Sequence, residues 1–336
     1  MAGMAQLRIG VLGAGHFGRF HALKVAGSAR AVLAGLYDPD GARALAVGRE
    51  AGGAPALGLE ALLAASDAVI VAAPADAHYG LAAQALEAGR HVLVEKPIAA
   101  TLAQASALAG LARARGLVLQ VGHLLRYSAE HRAISSRITR PLYIEATRIA
   151  PYKPRGTDVS VILDLMIHDL DLVLALVDSP IAGVDALGAA VSSPFEDIAN
   201  ARVRFENGCV AGITASRISL KTERRMRMFS EEGYLSADFV ARELVMIGRE
   251  RGLPLPGTGG FRREAVGWTE HDSMRAEHDA FVASCLDGAP VLVDAEAGRR
   301  ALEAALAVTD SIAASRRVAI ASGLIQNLEH LAGGGV

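Results

Sequence analysis

The stretch Gly13-Ala14-Gly15-His16-Phe17-Gly18 joins an apolar run, Leu7 to Leu12, to an Ala-rich helical pattern. Asp38 ends the next apolar run, at the spacing of about 20 residues after the last glycine that dinucleotide-binding turns show. Three glycines so spaced allow a tight turn, close approach of the backbone to a pyrophosphate, and close packing of helix on strand. The stretch therefore predicts a Rossmann domain that binds a dinucleotide.

The cofactor contacts expected from this turn are Gly13, Gly15, His16, Phe17 and Gly18, because amides at a helix N-terminus attract phosphates. A carboxylate at Asp38 accepts hydrogen bonds from both ribose hydroxyls of NAD and repels a 2′-phosphate, so NAD is expected rather than NADP. Arg43 lies close in sequence and is the residue that could pair with such a phosphate. A structural strand-to-helix turn without a ligand is the alternative.

The first 124 residues alternate short apolar runs with Ala-rich stretches, which is typical of a parallel sheet covered by helices. The sequence predicts strands at Leu7–Leu12, Ala31–Tyr37, Ala68–Ala72, His91–Val94 and Leu117–Val121. It predicts helices at Phe17–Ala26, Gly41–Ala51, Leu59–Ala64, His78–Ala88 and Leu102–Arg115. The fold class is α/β, with this Rossmann domain over residues 1–124.

From residue 125 the strand-like runs follow one another directly, with turn signals between them. This pattern predicts a second, α+β domain over residues 125–336 with a largely antiparallel open sheet, which binds substrate and forms oligomers. The runs are Tyr143–Ile149, Ala199–Phe205, Val210–Ser216 and Arg225–Phe229. A Gly- and Pro-rich loop is expected at 252–260, and helices at Arg275–Leu286 and Asp294–Ala313.

Composition excludes several classes of protein. Lys and Arg total 34 against 36 for Asp and Glu, so the chain has no general attraction to nucleic acid or to an anionic membrane. The two cysteines, Cys209 and Cys285, lack the spacing of a disulfide framework or a zinc site, and we expect no metal. The apolar stretch Val159–Val177 carries acidic residues that a membrane span would not tolerate. With no leader pattern before Leu7, we expect a cytoplasmic protein.

Two further motifs carry candidate chemistry. Glu95-Lys96-Pro97 follows a buried parallel strand, at the sheet edge where ligands bind in open α/β folds. A structural ion pair between Glu95 and Lys96 is the alternative. Asp164 and His168 are four residues apart on a predicted apolar helix, and Asp171 shares their face. That face is either part of a capped core helix or one wall of an active site.

These motifs, with Ala73-Pro74, His78 and Val121-Gly122, resemble the Gfo/Idh/MocA family of NAD(P)-dependent sugar oxidoreductases. The resemblance implies that Pro74, His78 and Glu95 line the cofactor and that Lys96 contacts both nicotinamide and substrate. In the family, the peptide bond before the following proline, here Pro97, is often cis. It implies that Asp164 and His168 join Lys96 as catalytic residues, with His168 as general base and Asp164 as its orienting partner. A histidine suits this role because its pKa lies near working pH.

The segment Ala150–Asp158, running into Leu163–Asp169, resembles one branch of that family, the UDP-N-acetylglucosamine 3-dehydrogenases. This branch makes the 3-keto sugar nucleotide used for the 3-amino sugar of lipid A. Arg126, Tyr152, Lys153 and Arg155 are the candidate contacts for a diphosphate and a uracil, and ordinary surface charges are the alternative.

Other functions remain open at this point. They are a dehydrogenase of another sugar, inositol or sugar nucleotide, an activity like that of biliverdin reductase or dihydrodiol dehydrogenase, and a non-catalytic NAD-sensing regulator. The regulator is disfavoured because Lys96, Asp164 and His168 are all present. The family resemblance also implies a homodimer or homotetramer that pairs through the open face of the sheet.

Overall fold

The computed structural model describes residues 6–153 and 159–324. The chain divides into two compact units, Met1–Arg132 with Thr269–Glu303, and Ala133–Trp268 with Ala304–Val336.

The first unit is built on a five-stranded parallel sheet of order β2-β1-β3-β4-β5. Its central strand β3 is buried at every residue, as expected when helices cover both faces. The strands are β1 (Leu7–Leu12), β2 (Ala31–Tyr37), β3 (Ala68–Val71), β4 (His91–Glu95) and β5 (Leu119–Gly122). The predicted parallel α/β domain is confirmed.

Helices connect these strands, and their ends follow the capping signals of the sequence. Asp40 caps the second helix and Thr101 the fifth, each through a side-chain oxygen that accepts backbone N–H groups. Gly116 ends the fifth helix in the left-handed conformation. The helices are α1 (His16–Ala26), α2 (Gly41–Glu50), α3 (Leu59–Ala65), α4 (Ala75–Glu87) and α5 (Leu102–Arg115), then a 3-10 turn (Leu124–Tyr127) and α6 (Ala129–Ser135).

The chain returns to the first unit near its C-terminus. Helix α8 (Ser273–Asp287) places Phe281 and Val282 in the core that contains Leu7 and Ile9 of β1. This differs from a single division after residue 124. The hydrophobic pattern of α8 predicts a helix but does not specify which core that helix joins.

The second unit contains a nine-stranded sheet of order β13-β14-β12-β11-β10-β6-β9-β8-β7, in which only the β6–β9 pair is parallel. The predicted, largely antiparallel open sheet is therefore confirmed. Its strands are β6 (Pro141–Ile149), β7 (Ile181–Ala189), β8 (Ile198–Phe205), β9 (Val210–Ser216), β10 (Glu223–Ser230), β11 (Gly233–Asp238), β12 (Glu243–Gly248), β13 (Leu253–Pro254) and β14 (Arg262–Gly267).

One helical segment of this unit departs from a regular α-helix. A π-helical turn, Ile162–Met166, leads into α7 (Ile167–Val177). Such wide turns inside helices occur frequently at functional sites. The last helix, α9 (Ala295–Ala321), starts in the first unit and finishes in the second. Within the described ranges, none of the helices is long and apolar enough to span a membrane.

Candidate active site

The glycine turn between β1 and α1 has the geometry of a phosphate cradle. Gly13 adopts a φ of 99°, and a Cβ there would lie 2.6 Å from the carbonyl oxygen of Ala72. A Cβ at Gly18 would lie 1.8 Å from the carbonyl oxygen of Gly13, so helix and turn pack too closely for any side chain. A Cβ at Gly15 would meet nothing within 4 Å. Gly15 therefore presents open backbone at the N-terminus of α1, which fits a pyrophosphate.

Asp38 is fixed beside this turn. Its Oδ2 accepts the backbone N–H of Ala14 at 2.8 Å, and its Oδ1 accepts the N–H of Asp40 at 2.9 Å. The side chain of Arg43 lies 3.5 Å from Oδ1 and is half exposed. The turn and the carboxylate that the sequence linked by spacing are therefore in direct contact, and the residues present fit an NAD-type dinucleotide.

Pro74 and His78 lie beyond β3. Pro74 is exposed and precedes the first residue of α4. The His78 ring is buried, with Nδ1 2.7 Å from the carbonyl oxygen of Pro97 and Nε2 2.8 Å from that of Ala73. Because both ring nitrogens face backbone carbonyls, His78 ties the turn after β3 to the corner after β4. The buried ring thereby supports the backbone just after β3 and just after β4.

Glu95 and Lys96 lie where β4 ends. The Lys96–Pro97 peptide bond is cis. Glu95 Oε2 accepts the backbone N–H of Lys96 at 3.3 Å, and Glu95 Oε1 lies 2.9 Å from Nε2 of His21 on α1. Burial raises the pKa of the Glu95 carboxyl, but the hydrogen bond and electrostatic attraction of His21, with the charge of Lys96, outweigh burial and hold that pKa below its usual range. Glu95 is therefore a carboxylate beside Lys96.

In the second unit, Asp164 and His168 lie on either side of the junction between the π turn and α7. Both are partly exposed, whereas the neighbouring acidic residues Asp169 and Asp171 are buried. The backbone N–H of Asp164 donates to the carbonyl of Ser160 at 3.0 Å, which holds the start of the turn. The two candidate catalytic side chains are therefore the accessible polar groups of an otherwise apolar segment.

A buried ion pair fixes α7 on the sheet directly next to His168. Arg148 on β6 donates to both carboxylate oxygens of Asp169, at 2.7 and 2.9 Å. Two such parallel bonds restrict rotation as well as distance. The pair therefore holds the first turn of α7, and with it the backbone of His168, in one orientation.

A second buried ion pair anchors the segment before the π turn. Arg217 donates to Asp197 at 2.8 Å and to the carbonyl of Val159 at 2.8 Å. Burial raises the pKa of Asp197, but N–H groups of Ser192 and Val191, together with Arg217, hold it well below its usual range. Asp197 therefore stays ionised, and through Arg217 it holds Val159, which precedes the π turn, in place.

Family models match both parts of the chain. The model described as "Oxidoreductase family, NAD-binding Rossmann fold" matches residues 7–123, and the Gfo/Idh/MocA C-terminal domain model matches residues 130–236. The chain belongs to the Gfo/Idh/MocA oxidoreductase family.

Individual members of the family match over nearly the full length. The UDP-N-acetylglucosamine 3-dehydrogenase of Acidithiobacillus ferrooxidans is 41% identical, covering 93% of this chain and 99% of its own, and its solved structure superposes with a TM-score of 0.87. The scyllo-inositol 2-dehydrogenase (NAD(+)) of Bacillus subtilis is 27% identical over 91% and 94% of the two chains. A putative myo-inositol dehydrogenase structure from Sinorhizobium meliloti, 24% identical, covers 92% and 98% with a TM-score of 0.76 and shows the same fold.

The four residues expected to contact substrate are spread over both units. Tyr152 and Lys153 lie in the second unit, where they follow β6 and are exposed. Arg155 lies outside the described residues. Arg126 is in the first unit, in the 3-10 turn after β5, and is partly buried. Burial, together with Arg126 and Arg132, lowers the pKa of His131 to about 4.

The sequence alone does not identify several residues that support the site. Arg148 and Arg217 carry no sign of their partners, because Asp169 lies 21 residues from Arg148 and Asp197 lies 20 residues from Arg217. His21 and His278 were missed for the same reason, since 257 residues separate them. No local signal marks these residues, because His278 stands between Glu277 and Asp279 and Arg217 precedes a polar run.

Proposed function

We propose that this protein oxidises the 3-hydroxyl of UDP-N-acetylglucosamine to the 3-keto sugar nucleotide, with NAD as the hydride acceptor. The full-length similarity to the Acidithiobacillus ferrooxidans enzyme carries this proposal, because 41% identity extends through both units. The presence of Lys96, Asp164 and His168 supports a catalytic rather than a regulatory role.

NAD is preferred over NADP in this proposal. The Asp38 carboxylate is held beside the glycine turn by the N–H groups of Ala14 and Asp40. There it accepts hydrogen bonds from the ribose hydroxyls, and its charge opposes a 2′-phosphate. Arg43 is already paired with Asp38 and with Asp40, at 3.5 and 3.4 Å, which reduces its availability to a phosphate.

Three side chains carry the chemistry. NAD, held by the glycine turn and Asp38, would supply the electrophilic nicotinamide carbon that accepts a hydride. His168 accepts the proton of the hydroxyl, and Asp164 orients the imidazole and stabilises the imidazolium that forms. Lys96 stabilises the negative charge that develops on the oxygen. No metal is needed for this set of roles.

The sugar nucleotide adds binding groups that a free sugar lacks. Arg126, Tyr152, Lys153 and Arg155 offer cations and an aromatic ring, which suit a diphosphate and a uracil. We propose that the 3-keto product is the substrate of an aminotransferase in the route to the 3-amino sugar of lipid A. We propose also that the reaction takes place in the cytoplasm. An inositol or another sugar is the second candidate, supported by the 27% identity to the Bacillus subtilis scyllo-inositol enzyme.

A homodimer or homotetramer is part of this proposal. Phe229 on β10 is paired in register with Tyr143 on β6 and Tyr234 on β11, and its ring centroid lies 5.9 Å from that of Tyr143 and 5.1 Å from that of Tyr234. The alternate residues, such as Met228, are buried on the opposite face of the sheet. An aromatic row on an otherwise uncovered sheet face suits a second copy of the chain.

A substrate panel tests the proposed function. Purified protein is mixed with NAD and, separately, with UDP-N-acetylglucosamine, free N-acetylglucosamine, scyllo-inositol and myo-inositol, while the absorbance of reduced nicotinamide is followed. We expect reduction with the sugar nucleotide at a kcat/KM at least about a hundredfold above that with the free sugar, since loss of the diphosphate contacts costs several kcal/mol. Faster reduction with an inositol would favour the second candidate.

A further inference from the structure

A buried polar cluster lies behind the Glu95–Lys96 corner, within the first unit. It consists of His21 on α1, Glu95 at the end of β4, and Glu277 and His278 on α8. His21 and Glu277 are fully buried, and His278 is 3% exposed. Polar groups at such depth are costly unless they are hydrogen-bonded or paired. None of the catalytic roles proposed above uses the two histidines or Glu277.

The two histidine rings share one hydrogen bond. Nδ1 of His21 lies 2.8 Å from Nε2 of His278, the ring centroids are 5.0 Å apart, and the planes differ by 8°. The centroids are farther apart than the two nitrogens by about one ring diameter, and the ring planes are nearly parallel. The rings therefore meet edge to edge. The contact is therefore an in-plane N–H···N hydrogen bond and not a face-to-face stack.

A metal ion does not explain this geometry. His21, Glu277 and His278 could supply three ligand atoms, all within 4.8 Å of one another. A zinc ion requires bonds of about 2.0–2.1 Å to each nitrogen, along its lone pair. Two nitrogens that face each other at 2.8 Å leave room for a proton between them but not for a cation.

The direction of the bond to Glu95 follows from its charge. As a carboxylate Glu95 can only accept, so Nε2 of His21 carries a proton and donates to it. Burial, with electrostatic repulsion from His21, Arg275 and Lys24, holds the pKa of His278 well below its usual value, so this ring is neutral. Nε2 of His278 shares one proton with Nδ1 of His21.

Glu277 belongs to the same cluster. Both of its carboxyl oxygens are buried, and neither has a hydrogen-bond partner among the described residues. Burial and the negative charge of Glu95 raise its pKa well above the usual range, which favours the neutral acid. Ionised, it would place a second negative charge near Glu95. His78 also lies near Glu95 and helps to lower the pKa of that carboxyl.

We propose that His278 and His21 are positioning residues, which act through a hydrogen-bonded chain, His278 to His21 to Glu95, to hold the Glu95 carboxylate against the backbone N–H of Lys96. The chain links α8 and the phosphate-binding helix α1 to the end of β4. It rests on the proposed function only in that Lys96 is catalytic. Glu277 serves the chain by remaining neutral.

The first test reads the protons directly and needs no substrate. In protein labelled with ¹⁵N at histidine, we expect at pH 7 a proton on Nε2 of His21 and a neutral His278 ring, with signals assigned from the His21→Gln and His278→Gln variants. A His21 ring without a proton on Nε2, or an imidazolium at His278, would overturn the proposal. So would a stoichiometric metal ion in the purified protein that Glu277→Gln removes.

The second test compares two substitutions of one residue. His278→Gln keeps an amide in place of Nε2 that can still hydrogen-bond to His21, so we expect kcat within about twofold of wild type. His278→Leu removes this hydrogen bond, and we expect kcat to fall on the order of tenfold, as for other orienting partners, with NADH affinity unchanged.

These results separate positioning from mere structural support. Equal kcat values for wild type, Gln and Leu variants would contradict the proposal, as would an equal loss in both variants. If His278→Leu does not fold, the Gln variant and the ¹⁵N spectra decide alone. Absence of turnover with UDP-N-acetylglucosamine in wild type would refute the proposed substrate and leave the spectra unaffected, and the kinetic comparison then uses whichever panel substrate reduces NAD.

Discussion

The guanidinium of Arg148 on β6 binds both carboxylate oxygens of Asp169 in the buried interior of the second unit, at 2.7 and 2.9 Å. Asp169 is the residue after His168, so this contact decides how the candidate general base is presented. An arginine–carboxylate pair with two parallel bonds gives geometric specificity that a single contact lacks. The orientation of His168 thus depends on a strand residue that is remote from it in sequence.

Removing one partner of this pair leaves a buried charge without compensation. We expect Arg148→Met to lower the free energy of unfolding by about 3–5 kcal/mol, and the double variant Arg148→Met/Asp169→Leu to recover most of that loss. Chemical denaturation of the four proteins in the cycle measures the coupling energy. The double variant should fold yet remain impaired in kcat, because α7 loses its fixed orientation. Additive losses in stability would contradict a coupled pair.

His168 is expected to act in the chemical step and not in cofactor binding. His168→Ala should lower kcat by at least about a hundredfold, the usual contribution of a general base, while the NADH dissociation constant stays within about twofold. Turnover assays and fluorescence titration measure the two quantities. His271→Ala, which removes an exposed histidine of the first unit, is the matched control. Unchanged turnover in His168→Ala would remove this residue from the mechanism.

Asp38 is expected to set the choice of cofactor. Asp38→Ala removes charge-assisted hydrogen bonds worth about 1.5–3 kcal/mol each, so we expect NADH to bind at least tenfold more weakly. NADPH binding should weaken less or improve, because repulsion of the 2′-phosphate is removed as well. Asp40→Asn keeps the cap of α2 and serves as control. Tighter binding of NADPH than of NADH by the wild-type protein would refute the preference.

Phe229 tests the proposed assembly. It is 46% exposed in the aromatic row of the sheet, and Phe229→Glu would place a charge in a contact between two copies. Sedimentation velocity should show dimers or tetramers for wild type and smaller species for this variant. Leu45→Glu alters a similarly exposed residue, 43%, on α2 of the first unit and should leave the assembly unchanged. A wild-type monomer would exclude the proposed pairing.

The features that the sequence predicted correctly are local in the chain. Leu7–Leu12 was predicted with its observed bounds, since an apolar run ending in a glycine turn specifies a buried strand from adjacent residues. The spacing from Gly18 to Asp38 anticipated a contact because one strand and one helix of ordinary length connect them. The same local logic gave the parallel sheet of the first unit.

The features that were missed depend on contacts distant in sequence. The apolar stretch Val159–Val177 predicts a regular helix, but Ile162–Met166 form a π turn, which apolar spacing does not distinguish from an α-helical turn. The bond between His21 and His278 joins α1 to a helix that returns from the far end of the chain. Composition and periodicity carry no information on such pairing.

The proposed reaction breaks the bond between C3 of the sugar and its hydrogen, and an isotope label reports that bond directly. UDP-N-acetylglucosamine deuterated at C3 is incubated with the protein and NAD, and the reduced cofactor is analysed by mass spectrometry. If the 3-hydroxyl is oxidised, deuterium leaves C3 as the hydride equivalent and appears in the reduced nicotinamide. Reduced cofactor without deuterium would show that another position is oxidised, and it would contradict the proposed reaction.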